Sequence, residues 1–427
     1  MMKPESVVES SGMRLPLHVN GTRKGTNGRR PRLLVLNQYY WPGVEATAHL
    51  LAELCGELAK TYDVTVVTGL LRDRALSPGE SFHDGVRIVR VRSTAFERVR
   101  LLPRAINYMT YLIQSFRMAA IQPRPDVVLC MTDPPIIGNV ALIVARRFRA
   151  PLVVVSQDVF PEIAVQLGRL KSPVLVGLLR LLVRAYLRRA DRVVAIGEVM
   201  RDRLEAKGTD PSRIVVISNW ANTESLMPMP RDNEWAEQHG LVGKFVVMHS
   251  GNVGHAQDLD NLVRAGSFLR DLDDLVLVVI GSGARQHDVE SLADRLEVDS
   301  VKFLPYQTRE VLSQSLSAAD IHYVGLAGGL GGYIVPSRYY GILAVGRPVI
   351  VAADAETETA YATLANGAGV VIPPGRPDLL AGVIRTAYAG ELPLDEMGAR
   401  ARAYVTEAAS REVALSRYRE LLIAVTT

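Results

Sequence analysis

Three glycine-rich turns have the composition to hold an anion. His249-Ser250-Gly251-Asn252-Val253-Gly254 closes one apolar run ahead of a helical segment from Asp258, and Gly281-Ser282-Gly283 closes the next run. Glycines at strand-to-helix turns let backbone N–H groups approach a phosphate, and the helix N-terminus adds favourable partial charge. A tight turn that binds nothing has the same composition. No GK[ST] follows, so neither turn is a Walker loop, and the GxGxxG dinucleotide fingerprint is incomplete. The third stretch runs from Gly328 through Gly329, Gly331 and Gly332 to Pro336-Ser337-Arg338 and then into a helix. A proline-started first turn carrying Ser337 and Arg338 would aim a hydroxyl, free N–H groups and a guanidinium at an anion. A cation there opposes the helix dipole, and a bound phosphate would offset that; the alternative is a surface arginine beside a flexible loop.

These turns need a scaffold, and the sequence supplies a repeating one. From Arg32 on, short runs (RLLVLN, VTVVT, VRIVRV, DVVLCM, PLVVVS, DRVVAI, RIVVIS) alternate with helical segments such as 45–60 and 104–120. Apolar runs without polar alternation are the signature of parallel strands covered on both faces. The pattern pauses over SNWANTESLMPMPRDN and resumes with KFVVMHSGN, LVLVVIGSG, VKFLPY, ADIHYVGL, RPVIVAA and GVVIPP. The expected organisation is a basic tail over 1–31, an α/β domain over 32–220 and a linker over 221–243. A second α/β domain over 244–409 and a last helix over 410–427, packing on the first domain, complete it. Ligands in such sheets bind outside the carboxyl ends of the strands, so a cleft between two doubly wound, Rossmann-like domains is the expected site.

Composition narrows the class. The chain has 427 residues, 48% apolar and 22% charged, which suits a globular chain of two or three domains. Two cysteines, Cys55 and Cys130, make neither a disulfide framework nor a four-ligand zinc site, which fits a reduced, cytoplasmic setting. Residues 1–30 lack the apolar core of a secretory signal, and no window has the ~20 charge-free apolar residues of a membrane span. The small net charge of +4 hides an asymmetry: residues 1–220 hold 32 Lys and Arg against 19 Asp and Glu, and residues 221–427 hold 17 against 26. Two segments concentrate the positive charge, 98–117 and 169–192, with Leu, Val and Tyr between the arginines. Basic amphipathic helices suit an anionic membrane surface, although a core helix with a solvated basic face would read alike. No nucleic-acid-binding module accompanies the charge.

Taken in order, the GNxG turn, the GSG turn, FLPY, the AD strand start, PSR and GxPVI resemble the retaining family 4 glycosyltransferases of the GT-B fold. NQYYWPGVEATAHLLAELCGELAKTYDVTVVTG is similar to their acceptor-side opening, and SQDVFPE with SNWANTESLMP resembles the bacterial O-antigen and capsule branch. The resemblance covers Arg32 to Tyr418. One departure stands out. The family's two glutamates, with seven residues between them, fall on Tyr333 and Gly341 here, so the carboxylate expected on the donor ribose is missing, and Glu356 or Glu358 is the candidate substitute.

The resemblance implies a donor-binding set of Gly251, Asn252, Gly254, Gly283, Pro305, Tyr306, Ser337, Arg338 and Glu358, with Arg338 also neutralising the leaving diphosphate. Asp158 falls where the family places a group near the reacting carbon; it could take the acceptor proton or stabilise a cationic sugar, or simply cap the segment that follows. Gly43, Glu45 and Glu162 fall on the acceptor side. No carboxylate pair stands where a metal diphosphate site needs one, since Asp273-Asp274 precedes a strand, and no metal or other cofactor is expected. The implied reaction moves a hexose or N-acetylhexosamine from a nucleoside diphosphate, UDP first, with retention, to a polyprenyl diphosphate-linked or saccharide acceptor. The implied place is the inner face of the plasma membrane. Two other classes remain open: a UDP-N-acetylglucosamine 2-epimerase-like isomerase, and a nucleotide-sugar-binding scaffold without activity.

Overall fold

Strands buried on both faces pair in parallel because each crossover helix then covers one face of the sheet. In the computed structural model, which describes residues 29–43, 46–70, 77–92, 94 and 101–426, the apolar runs form two such sheets. The first contains β1 (Arg32–Leu36), β2 (Asp63–Gly69), β3 (Gly79–His83), β4 (Val86–Val91), β5 (Val127–Cys130), β6 (Leu152–Ser156), β7 (Arg192–Ala195) and β8 (Ile214–Val216). Its order is β3-β4-β2-β1-β5-β6-β7-β8. The second contains β9 (Phe245–Ser250), β10 (Leu275–Ile280), β11 (Val301–Leu304), β12 (Ile321–Gly325), β13 (Val349–Ala352) and β14 (Gly369–Ile372), ordered β11-β10-β9-β12-β13-β14. All pairings are parallel except β3 with β4. That edge strand, GESFH, is missing from the sequence expectation because it is mostly solvent-facing and contains no apolar run.

Helices α1 (Ala46–Leu58), α2 (Leu101–Ala120), α3 (Ile137–Phe148), α4 (Glu162–Gln166), α5 (Pro173–Leu187) and α6 (Glu198–Ala206) alternate with the strands of the first sheet. The second sheet carries α7 (Glu234–Gln238), α8 (Leu259–Gly266), α9 (Gln286–Arg295), α10 (Leu312–Ser317), α11 (Arg338–Ala344), α12 (Glu358–Asn366), α13 (Pro377–Tyr388) and α14 (Leu394–Ala408). Within the segment 221–243, α7 buries Trp235 against Val246 and Met248, so that part belongs to the second core. The strand order reverses between β1 and β5 in one sheet and between β9 and β12 in the other. Loops leaving those strand ends splay apart and open a crevice, the usual ligand position in such sheets.

The last helix, α15 (Arg411–Thr426), crosses from the second domain to the first. Its Leu415, Tyr418 and Leu422 share one core with Leu51, Leu54 and Trp220. Tyr418 meets Trp220 edge to face at 6.0 Å, and Trp220 Nε1 donates to Glu53 Oε2 at 2.8 Å. Arg419 lies 3.6 Å from the buried Glu57 carboxylate of α1. Truncating a buried aromatic leaves a cavity that a packed helix fills poorly, so Tyr418→Ala should lower stability by about 3 kcal/mol in denaturant unfolding. A loss under about 1 kcal/mol would mean that α15 contributes little to the first domain.

Candidate functional site

The second-domain side of the crevice is built from the carboxyl ends of β9, β10, β11 and β12. The first two glycine turns are laced together by backbone: Gly251 N donates to Ile280 O at 2.9 Å and Val253 N to Ser282 O at 2.9 Å. Their glycines serve different ends. A Cβ at Gly281 would strike the Gly251 carbonyl and one at Gly283 would strike the Val253 carbonyl, so those two are dictated by the packing of one turn on the other. Gly251 has φ +148°, and a Cβ there would come 3.2 Å from Arg338 Cδ. Gly254 N donates to Gln257 Oε1 at 3.1 Å, and Asn252 is exposed at the rim.

Arg338 opens α11 and is anchored at one end only. Its Nη2 donates to Gly325 O, the last carbonyl of β12, at 3.0 Å, while its Nε is buried without a partner. Burial pulls its pKa down to about 10, with Tyr323 and Tyr306 opposing the fall, so the guanidinium stays charged at neutral pH. Tyr306 is 52% exposed, sits beside Gly281 and donates to Ser282 O at 3.4 Å; Pro305 next to it is also exposed. Ser337 makes no capping bond to the helix it precedes. His249, fully buried one step before the first turn, makes no well-formed hydrogen bond through either ring nitrogen. Burial, reinforced by the nearby Arg338 cation, holds it well below the usual histidine range and therefore neutral.

Across the crevice, the first domain presents the loops after β1, β5 and β6. Each contains a cis X–Pro bond: Trp41-Pro42, Asp133-Pro134 and Phe160-Pro161. Thr132 Oγ1 accepts from Gln157 N at 3.1 Å and from Asp158 N at 3.4 Å, which ties the β5 loop to the β6 loop. Asp133 accepts from Thr47 Oγ1 at 3.2 Å, and its carbonyl accepts from Gln38 N at 2.8 Å. Burial, with a smaller contribution from Asp133, pushes the Asp158 carboxyl up to about 7. Two carboxylates near each other in a poorly solvated place resist ionising together. The chain around Asp158 also touches the third glycine stretch: Asp158 bridges Ile334, and Val159 N donates to Tyr333 O at 2.8 Å.

The structure thus groups Gly251, Tyr306 and Arg338 on one wall of the crevice and sets Asp158 against the glycine stretch that leads to Arg338. Gly43 is buried in the β1 loop, its N–H bonded to Tyr40 O at 2.9 Å, whereas Glu45 lies outside the described residues. Two of the expected site residues are held by protein partners. Glu162 accepts from Lys207 Nζ and from Arg180 Nε at 3.0 Å. Burial alone would raise its carboxyl, and the Lys207 cation with Arg180 holds it below the ordinary value instead. Glu358 is not turned to a ribose: its Oε1 accepts from the backbone N–H groups of Val199 and Met200 at the start of α6. Asp133 and His249 are site residues the sequence reading left without a role. For Asp133 a signal existed, since MTDPP after β5 and SQDVFP after β6 each set an aspartate two or three residues past the strand with a proline one to three residues further on. Among the described residues no group of three or more His, Cys, Asp or Glu could hold a metal ion.

Comparison with known proteins gives this geometry its context. Residues 43–220 match the family described as glycosyl transferase 4-like domain, and residues 231–404 match glycosyl transferases group 1. The chain is 28% identical over 403 residues to the probable glycosyltransferase WbjE of Pseudomonas aeruginosa, covering 91% of this chain and 96% of that protein. It is 24% identical to the putative colanic acid biosynthesis glycosyl transferase WcaI of Escherichia coli, covering 74% and 79%. Among solved structures, Anabaena Alr3699/HepE in complex with UDP and glucose superimposes with a TM-score of 0.71 at 17% identity, covering 92% of this chain and 100% of that one. With a 4-like domain first, a group 1 domain second and the crevice between two parallel sheets, the chain is a glycosyltransferase of the GT-B fold.

Proposed function

We propose that the crevice transfers a hexose or N-acetylhexosamine, with retention, from a UDP-linked donor to a lipid-linked or polysaccharide acceptor in cell-surface glycan synthesis. The observation that carries this reading is the grouping of the Gly251 turn, Tyr306 and Arg338 at the point where the second sheet reverses its strand order, across from Asp158. UDP as the nucleotide is supported by the HepE structure with UDP and glucose, and a cell-surface glycan by the colanic acid biosynthesis role in the name of WcaI. The Gly251 turn and Arg338 hold the diphosphate, Ser337 adds a hydrogen bond, and Tyr306 with Pro305 borders the base.

No nucleophile pair is needed if the acceptor hydroxyl attacks the sugar carbon on the face the diphosphate leaves. The sugar–phosphate C–O bond breaks, the new C–O bond forms, and the acceptor proton passes to an oxygen of the departing diphosphate. Positioning both partners and neutralising the developing negative charge then dominates catalysis, and Arg338 supplies that charge. Asp158, when ionised, stabilises the positive charge that builds on the sugar.

A membrane-facing acceptor side is supported by the surface of the first domain. Ile106, Met109, Ile113 and Phe116 of α2, Ile143 of α3 and Val174, Leu178 and Leu181 of α5 are all exposed, on neighbouring helices. Exposed Arg117, Arg146, Arg147, Arg184 and Arg188 accompany them. Apolar side chains among arginines suit an anionic lipid interface. Arg180 of α5 bonds Glu162, four residues beyond Asp158, so this surface adjoins the crevice. No helix among the described residues is long and apolar enough to cross a membrane.

Arg338→Ala should reduce transfer about a hundredfold or more, the size of losing one fixed donor to developing charge, with unchanged thermal unfolding; retained activity on a panel of UDP-, GDP- and dTDP-sugars with a polyprenyl-linked acceptor would remove the diphosphate role. Activity should fall as pH drops through about 7, because Asp158 then takes up a proton. Asp133→Asn removes the neighbouring negative charge, so the acid limb of the pH–rate profile should move to lower pH; a limb that stays put separates the two carboxylates. Replacing Leu178 and Leu181 by Ser together with Arg184 and Arg188 by Glu should abolish co-flotation with phosphatidylglycerol vesicles, and undiminished flotation would sink the membrane placement.

A further inference from the structure

At Gly197 a close approach comes from the other domain. Gly197 is the N-cap of α6 and offers no capping side chain, so the first N–H groups of the helix lack an internal partner. Glu358, at the start of α12 in the second domain, meets them: its Oε1 accepts from Val199 N and, at 3.4 Å, from Met200 N. A Cβ on Gly197 would run into that same carboxyl group. One turn on, Arg203 Nε donates to Gly331 O at 3.1 Å, and its guanidinium lies 4.8 Å from the centre of the Tyr333 ring. Gly332, with φ +74°, has no room for a Cβ because Val199 Cγ1 and Arg203 Cγ stand 2.9 Å from where it would be. On the opposite side, a Cβ at Gly331 would lie 3.6 Å from Thr357 Cγ2. The third glycine stretch is therefore threaded between α6 of one domain and the start of α12 of the other.

We infer that Glu358 and Arg203 are positioning residues that clasp the Gly331–Tyr333 segment between the domains and so hold Tyr333 O against Val159 N and the crevice closed over the Asp158 loop. The clasp stands on the contacts themselves; its consequence for transfer rests on the proposed reading of the crevice. It explains why a glycine caps α6 where Ser, Thr, Asp or Asn is usual: the capping carboxylate is delivered by the other domain, and only a residue without a Cβ leaves it room.

Hydrogen exchange on the full ligand-free chain reads the clasp directly, since exchange of a bonded amide reports how often its bond opens. Glu358→Ala should speed exchange of Val199 and Met200 roughly five- to tenfold, the size of a lost helix cap, and should speed Val159 with them. Glu358→Gln, whose amide oxygen accepts the same bonds, should stay near the parent. Gly197→Ala, which acts from the first domain, should reproduce the Glu358→Ala pattern. Faster exchange in α6 alone, with Val159 unmoved, would overturn the clasp and leave Glu358 an ordinary cap. Should Glu358→Ala fail to fold, Arg203→Ala at an exposed side chain carries the same expectation for Val159, and no change there overturns the proposal. In transfer assays the opened variants should lose kcat while UDP affinity, read by calorimetry, is retained. Coupled exchange without loss of kcat would keep the clasp and instead overturn the placement of the reaction in the closed crevice.

Discussion

One backbone hydrogen bond, from Val159 N to Tyr333 O at 2.8 Å, joins the working edges of the two sheets. Its donor sits one residue from Asp158 and its acceptor five residues from Arg338, so it ties the spacing of the two charged groups to the registry of the domains. A parallel sheet delivers all its strand ends to one edge, and two such edges facing each other need few contacts to define a crevice. What they need is that those contacts be specific. Backbone pairing between an extended segment and the glycine stretch meets that need, because it tolerates no shift by a fraction of a residue.

Enclosure then tunes the charges. Removing water raises the cost of any ionised group, and both walls show it: the Asp158 carboxyl is pushed up to about 7 and the Arg338 guanidinium down to about 10. The unpartnered Arg338 Nε and the neutral, poorly bonded His249 are the same cost in another form, since buried polar atoms without partners are unfavourable. An anion seated against Arg338 would offset part of it by giving the guanidinium a counter-charge. Placing that site in the acidic half of the chain costs little under these conditions, because solvent screens the surface acids while Arg338 and the Gly251 turn act at contact distance.

The sequence made the scaffold legible because parallel strands are written as continuous apolar runs, and β1, β6, β9 and β13 can be read directly from RLLVL, LVVVS, FVVMHS and VIVA. Turn chemistry was legible for the same reason: a glycine after such a run has few uses. Pairing over long separations was not. Glu162 and Glu358 look alike as loop-edge carboxylates, yet their partners lie 45 and 159 residues away, and nothing local announces either. Gly197 was equally silent, since the group that demands a missing Cβ belongs to the other domain. Asp133 was within reach, because like Asp158 it follows a strand closely and precedes a proline, but without the fold there was no reason to place the two loops side by side.

The glycines show how such a site should be weighed. Gly281 and Gly283 make the second turn resemble a phosphate loop, but each is required by a carbonyl of the first turn, so their presence says that two turns pack and nothing about a ligand. Gly251 is different in kind. Its backbone takes a conformation that side chains disfavour, and the space a Cβ would need is bounded by Arg338 rather than by main chain. A glycine imposed by neighbouring backbone is structural, whereas one that keeps an unsatisfied cation accessible has a functional reason to persist. By that criterion Gly251 and Arg338 are the centre of the proposed anion site, and the second turn holds the first in place.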